Sequence, residues 1–146
     1  MNKLYKSLLP AVIALSFSVI QSHSLEKAIS SDDRSEKNIL RDSARHPNQT
    51  ISFFGIKSDM TVVELSPGGG WYTEILANYI HYPGTLIAAH FNPDAGDYYA
   101  RSRGRFEEKM ESSPVYGRVE LVNIDSELAD ELNKRKAKEQ ADKILN

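Results

Sequence analysis

Three short apolar runs, separated by amphipathic segments, set the pattern of this chain. The runs are rich in Val, Ile, Leu and Ala, which is typical of strands buried in a parallel sheet. They occupy residues 61–65, 85–89 and 119–124. Residues 71–80 and 98–110 have helical spacing, and we expect Gly104 to interrupt the second helix. Strands that alternate with helices predict a parallel α/β sheet with right-handed crossovers.

The segment before the first strand is polar and is expected to be helical. A helix should begin at residues 30–33, where acids follow two serines, and end at Pro47. Its narrow apolar face would consist of Ile39, Leu40 and Ala44. Asn48 is expected to cap a second short helix, which ends at Gly55 because glycine suits a left-handed C-terminal position.

Residues 126–146 are highly charged and favour one long helix. Glu131 and Arg135 are four residues apart, a spacing that supports a solvent-exposed helix. The apolar residues form only a thin stripe. We therefore expect this helix to dock loosely or to protrude.

The first 24 residues have the layout of a secretory signal peptide. Two lysines precede an apolar stretch, residues 8–20, and the small residues Ser22 and Ser24 suit a cleavage site. The stretch is short for a membrane span, so an uncleaved anchor is the alternative. We expect an exported chain that begins at Leu25 and has no stable membrane association after cleavage.

Composition narrows the classes of function. The 146-residue chain has a formal net charge of −2, so no strong field attracts it to nucleic acid and we expect no such partner. The absence of cysteine excludes disulfides, a thiol nucleophile and cysteine-ligated zinc. The four histidines lack metal-ligand spacing, so no metal site is predicted.

The strongest chemical signal is a strand that runs through a glycine turn into a helix. Glu64 stands near the end of the strand, residues 68–70 are three glycines, and Trp71 begins the helix-like stretch. Such a turn brings backbone N–H groups close to a ligand at a helix N-terminus. Glycine is needed there because a Cβ would block the approach or forbid positive φ. The run predicts a site for a nucleotide-type cofactor.

The spacing of an acid, Ser66, Gly68 and Gly70 resembles the first motif of the Rossmann-like S-adenosylmethionine-dependent methyltransferases, with serine in place of the first glycine. With its flanks, the chain is similar to a group of exported bacterial methyltransferase-like proteins over residues 33–125. The resemblance implies a Rossmann-like sheet, S-adenosylmethionine as the cofactor, and a location in the bacterial periplasm. The methyl acceptor stays unknown.

The resemblance also implies roles for the residues of the glycine loop. The backbone at Ser66, Gly68, Gly69 and Gly70 would face the methionine part of the cofactor, and Glu64 would lie beneath the loop near its amino group. The plainer alternative is a strand–helix turn that serves packing only. Glu64 would then be an ordinary strand end.

Two further positions follow the second and third strands. His90 stands where related proteins have an acid that binds the ribose hydroxyls, and imidazole cannot accept two hydrogen bonds as a carboxylate does, unless Asn92 helps. Asp125 matches an acid that contacts the adenine amine. A structural histidine and a helix cap are the respective alternatives.

A basic cluster, residues 101–105, adjoins Tyr98 and Tyr99. It could meet an acidic partner. Because Glu107, Glu108 and other acids follow it, a solvated helix face is the alternative.

The chain departs from the family in length. A complete fold of this type carries about six strands, whereas three are predicted here. We expect a signal peptide (1–24), a helical segment (25–60), an S-adenosylmethionine-binding-like half domain (61–125) and a charged helix (126–146), so that the protein is C-terminally truncated. No segment matches the loop that faces the transferred methyl group, and the catalytic residues are unknown.

Two hypotheses of function follow. The first is a methyltransferase, complete only as an oligomer; the second is a non-catalytic remnant that folds and binds a nucleotide-like ligand. A dinucleotide oxidoreductase fits less well, because the glycine spacing differs from G-x-G-x-x-G and no acid ends the second strand.

Overall fold

The computed structural model describes residues 24–145, and of Ser126 and residues 140–145 it describes the backbone alone. The predicted signal peptide lies outside the described residues apart from Ser24, whose hydroxyl caps the first helix by accepting from the Lys27 N–H at 3.2 Å. The helices are α1 (Leu25–Ile29), α2 (Glu36–Ile39), α3 (Asp42–Arg45), α4 (Pro47–Phe53), α5 (Trp71–Tyr79), α6 (Asp97–Glu111) and α7 (Ser126–Leu145). The strands are β1 (Thr61–Leu65), β2 (Thr85–His90) and β3 (Val119–Asn123), and two 3₁₀ turns span Pro93–Ala95 and Pro114–Arg118.

The strands form one parallel sheet in the order β1–β2–β3. Glu64 lies beside Ala88, and His90 lies beside Asn123. The central strand β2 is buried from Leu86 to His90, which explains its unbroken apolar run. The predicted α/β class with a parallel sheet is confirmed, and the arrangement is compatible with half of a Rossmann-like fold.

The core lies where α5 packs against the N-terminal helices and the sheet. Trp71 and Ile75 of α5 are buried there with Ile51 of α4, Leu86 of β2 and Tyr116 of the second 3₁₀ turn. Complete burial of such a side chain contributes about 1.5–3 kcal/mol. α5 is therefore the element around which the N-terminal helices assemble.

The first strand forms an open edge, as the three-strand pattern predicts. Among the described residues, β1 pairs with β2 alone. Leu65 is 62% exposed, and Phe54 lines a shallow cavity beside it and Val63. The outer side of β1 is therefore both apolar and without a strand partner in the described part of the chain.

The predicted helix from residues 30–33 to Pro47 is wrong. Its expected start lies in turns, and two short helices, α2 and α3, replace its second half. Ile39 and Leu40, expected on the buried face, are exposed. Ile39 and Leu40 are exposed because the opposite side of this segment faces the interior. Arg34 and Asn38 are buried there, next to Trp71, whose indole needs hydrogen-bond partners.

The hydrogen bonds of the Trp71 indole explain why polar residues of this segment are buried and its apolar residues are exposed. The Trp71 Nε1–H donates to the main-chain carbonyl oxygen of Asn38 and to Asp42 Oδ1, each at 3.0 Å. The Arg34 guanidinium forms two bonds with the Asp42 carboxylate, at 2.6 and 2.8 Å. Residues 34–42 are thus fixed to α5 by hydrogen bonds rather than by the expected apolar face.

Three smaller expectations have mixed outcomes. Asn48 is not the cap of α4, because Pro47 occupies the first helical position and His46, with φ of 48°, precedes it. Gly55 does take the left-handed conformation expected after α4, with φ of 65°. Gly104 does not interrupt α6, which is continuous through it.

We predict that Asp42→Ala strongly destabilises the fold. It would leave the guanidinium of Arg34, which is fully buried, without its bidentate partner, at a cost of about 3–5 kcal/mol in the free energy of unfolding. Urea denaturation measures this change. Glu107→Ala is the control, because it breaks an exposed pair with Arg103 that contributes about 1 kcal/mol or less. Equal losses in the two variants would contradict the prediction.

Candidate functional site

The glycine loop connects β1 to α5 through three residues with positive φ. The Ser66 N–H still bonds the Ala89 carbonyl at 2.8 Å, so the sheet continues to this point. The chain then turns with φ of 53° at Ser66, 57° at Gly68 and 76° at Gly70. For serine the left-handed conformation costs about 1 kcal/mol, so the surrounding turn must hold it.

The glycines of the loop have different reasons to lack a side chain. Gly70 has a left-handed φ of 76°, and a Cβ there would lie 2.9 Å from Cδ of Lys109, so glycine suits both the turn and the packing against α6. A Cβ on Gly69 would meet no atom within 4 Å, and at Gly68 only the Ser66 carbonyl oxygen lies within that distance. The backbone of Gly68 and Gly69 forms part of the wall of a cavity of about 610 Å³. This portion of the loop is open to a ligand.

Glu64 is largely buried near the end of β1, where it lines a cavity with Phe54 and Tyr72. Its carboxyl Oε2 accepts a hydrogen bond from the Thr73 hydroxyl at 2.6 Å. Burial raises the pKa of Glu64 to about 7, and the bonds from Thr73 and the charge of Arg45 only partly oppose that shift. The acid is therefore close to half protonated near neutral pH. It would become fully charged beside a ligand cation.

Glu74, which the sequence analysis did not single out, is a second buried acid in the first turn of α5. Its carboxylate accepts from the Ser35 N–H at 3.2 Å and the Ser35 hydroxyl at 2.8 Å, and it forms an ion pair with Lys109 of α6. Arg34 Nε lies 4.0 Å away. The Glu74 carboxylate thus links the N-terminal segment and α6 to α5.

His90 is fully buried at the end of β2. Its Nδ1 accepts from the Phe91 N–H at 2.8 Å, so Nε2 carries the proton of a neutral ring, and this atom has no hydrogen-bond partner in the described part of the chain. Burial lowers the pKa of His90, and the backbone of Gly68 opposes the shift. The ring packs 5.2 Å from that of Phe106. The predicted ribose contact at His90 stays a prediction.

Asn92 and Asp125 are brought together at the same edge of the sheet. The Asn92 side-chain amide donates to Asp125 Oδ2 at 3.1 Å, and Asp125 Oδ1 accepts from the Glu127 N–H at 3.3 Å. Asp125 therefore acts as a cap of α7, the alternative weighed from its position in the sequence. Its other oxygen lies beside an exposed amide, and its proposed adenine contact stays a prediction.

The carboxyl ends of the three strands thus place the predicted residues along one edge. Glu64 and His90 are buried below it, the glycine loop covers them, and Asn92 with Asp125 is exposed beyond. Gly68 and Gly69 line a cavity of about 610 Å³, whereas Glu64 lines a separate one of about 340 Å³. Lys37, Arg41, Arg105 and Lys109 also line the larger cavity, which the spacing of the glycines did not indicate.

Comparison of the chain with models of protein families, with curated proteins and with solved structures finds no match. Within residues 24–145 no cluster of three or more His, Cys, Asp or Glu side chains is arranged to hold a metal ion. In the same residues no helix is both long and apolar enough to span a membrane. Function must therefore be argued from the geometry of the loop and its surroundings.

The raised pKa of Glu64 predicts a specific dependence of stability on pH. The folded state holds the Glu64 proton more tightly than the unfolded state, whose carboxyl has a pKa near 4.5. Stability is therefore lost as the pH rises from about 4.5 to about 7. In Glu64→Gln this loss is absent, so from pH 4 to pH 8 the variant should gain about 3 kcal/mol relative to the natural chain.

Urea denaturation across that pH range measures the difference between the two proteins. Glu107→Gln serves as the control because Glu107 lies on the surface, and it should follow the natural chain at every pH. A Glu64→Gln curve parallel to that of the natural chain would show that burial does not raise this pKa.

Proposed function

We propose that the chain binds S-adenosylmethionine over the glycine loop and that it is a methyltransferase-like protein. One observation carries the proposal: a strand of a parallel sheet ends in a loop whose Gly68 and Gly69 backbone is open, directly before the N-terminus of α5. Ligands of open α/β sheets bind at the carboxyl ends of the strands. The resemblance of this loop to the methyltransferase motif supports the choice of cofactor.

Glu64 supports a cofactor that carries positive charge. A carboxyl group held half protonated by burial gains a favourable partner when an ammonium group approaches the loop. S-adenosylmethionine has both an ammonium and a sulfonium group. A nicotinamide dinucleotide would instead bring its pyrophosphate to this loop, close to the acid.

When bound, the cofactor supplies an activated methyl group to an acceptor nucleophile. The role of this chain would be to hold that methyl group in line with the acceptor, since positioning provides much of the rate gain. None of the described side chains is assigned as catalytic. The methyl acceptor and its orienting groups are the open part of this proposal.

A non-catalytic binding protein is the second candidate. It is favoured by the edge strand β1, which in the described part of the chain lacks the neighbour that a doubly wound sheet provides. Transfer of a labelled methyl group to any acceptor distinguishes the enzyme from the binding protein. Saturable cofactor binding without transfer by the folded chain would favour the second candidate.

We predict that Gly69→Val abolishes cofactor binding and leaves the fold intact. Its φ is not in the left-handed region and its Cβ would meet no protein atom, so the new side chain projects into the space assigned to the ligand. Calorimetric titration of S-adenosylmethionine should show saturable binding to the natural chain and at least a hundredfold loss in the variant. Circular dichroism checks the fold.

Gly117→Ala is the matched control, because Gly117 is equally open but lies in the second 3₁₀ turn, away from the loop. Gly68→Val would be less decisive, since φ of 57° makes it a folding variant as well. Unchanged affinity in Gly69→Val would refute a ligand over the loop. Stronger binding of NAD than of S-adenosylmethionine in direct competition would replace the cofactor assignment.

A further inference from the structure

The cavity beside the glycine loop is lined by cations from two separate parts of the chain. Lys37 and Arg41 come from the N-terminal segment, and Arg105 and Lys109 come from α6. The backbone of residues 68–69 completes the wall between them. We call this space, of about 610 Å³, the cation-lined cavity.

The positive charge of this cavity is largely uncompensated. Lys109 is paired with the buried carboxylate of Glu74, but Lys37, Arg41 and Arg105 form no ion pair with any described residue. No acidic side chain lines the cavity. Within the basic cluster of residues 101–105, Arg103 pairs with Glu107 at 2.8 Å, whereas Arg105 forms no ion pair with a described residue.

Convergence of like charges on one concave surface is unfavourable unless an anion is bound. Arg105 and Lys109 are one turn apart on α6, a spacing at which like charges destabilise a helix. Each guanidinium can form two parallel hydrogen bonds with a phosphate, and Lys37 adds a point charge.

We propose that the cations of this cavity bind the phosphate group of a small-molecule ligand distinct from the cofactor, which would lie over Gly68 and Gly69 in the same cavity. S-adenosylmethionine carries more positive than negative charge, so Lys37, Arg41 and Arg105 disfavour it as their own ligand. Two negative charges on phosphate match them better than a single carboxylate does. The binding of an anion in this cavity does not depend on the proposed function. Identification of its ligand as a phosphate-bearing methyl acceptor does rest on that function.

Calorimetric titration of inorganic phosphate into the folded chain at low ionic strength tests the proposal. We expect saturable binding at one site, and Arg41→Gln and Arg105→Gln should each raise the dissociation constant about tenfold, because each removes a charge-assisted contact. Both residues are exposed and form no ion pair with a described residue, and Arg41 makes one long hydrogen bond, of 3.4 Å, to Asn38 Oδ1, so neither change threatens the fold. Lys109 is not used as a variant because it compensates Glu74.

Arg101→Gln is the matched control. Arg101 is exposed, lies on the same helix and carries the same charge, but it does not line the cavity. We expect its affinity for phosphate to stay within about twofold of the natural chain. Absence of saturable phosphate binding would overturn the proposal. A loss of phosphate affinity in Arg101→Gln equal to that in Arg105→Gln would also overturn it, because it would show that phosphate responds to the overall charge of the surface.

Two further titrations separate the outcomes. Citrate that binds more tightly than phosphate would overturn the preference for phosphate. Phosphate could instead compete with S-adenosylmethionine, with weaker cofactor binding in Arg105→Gln. That result would assign the cations to the cofactor carboxylate and overturn the proposal of a distinct ligand. Saturable phosphate binding to the natural chain, together with unchanged cofactor affinity in Gly69→Val, would support this site while refuting the proposed function.

Discussion

The buried carboxylate of Glu74 is the constraint on which the arrangement of the site depends. A charge removed from water must be compensated by nearby donors and cations, and here these come from Ser35, Arg34 and Lys109. Ser35 precedes α2, and Lys109 belongs to α6. Compensation of one acid in the first turn of α5 therefore fixes both neighbours of the glycine loop.

This constraint also explains why a cavity forms at the loop. The N-terminal segment and α6 approach α5 at the level of Glu74, and Gly70 allows Lys109 to cross close to the backbone there. Residues of both elements line the cavity beside that contact, and the backbone of Gly68 and Gly69 is open between them. The absence of side chains in the loop thus serves packing at Gly70 and access at the other two positions.

Periodicity and composition predicted the sheet well because its determinants are local. The apolar runs of β1 and β2 and the glycines that follow β1 are visible within a few residues. The prediction for the N-terminal segment failed because partners far along the chain decide which of its residues are buried. Trp71 and Glu74 require polar neighbours, and Arg34 supplies charge from a stretch whose sequence resembles a solvated helix. The cation-lined cavity was missed for the same reason, since Arg41 and Arg105 meet only in the fold.

The two buried acids near the loop create opposite electrostatic surroundings on its two sides. Glu64 has no ion-pair partner among the described residues, and its pKa rises to about 7, so it favours an approaching cation. Glu74 is compensated by Arg34 and Lys109, and the cations beyond it remain available to an anion. A cofactor with a positive centre and a phosphate-bearing ligand would therefore be attracted to different sides of the same glycine turn. Such separation is what a transfer between two bound molecules requires, because neither ligand then competes for the charges that hold the other.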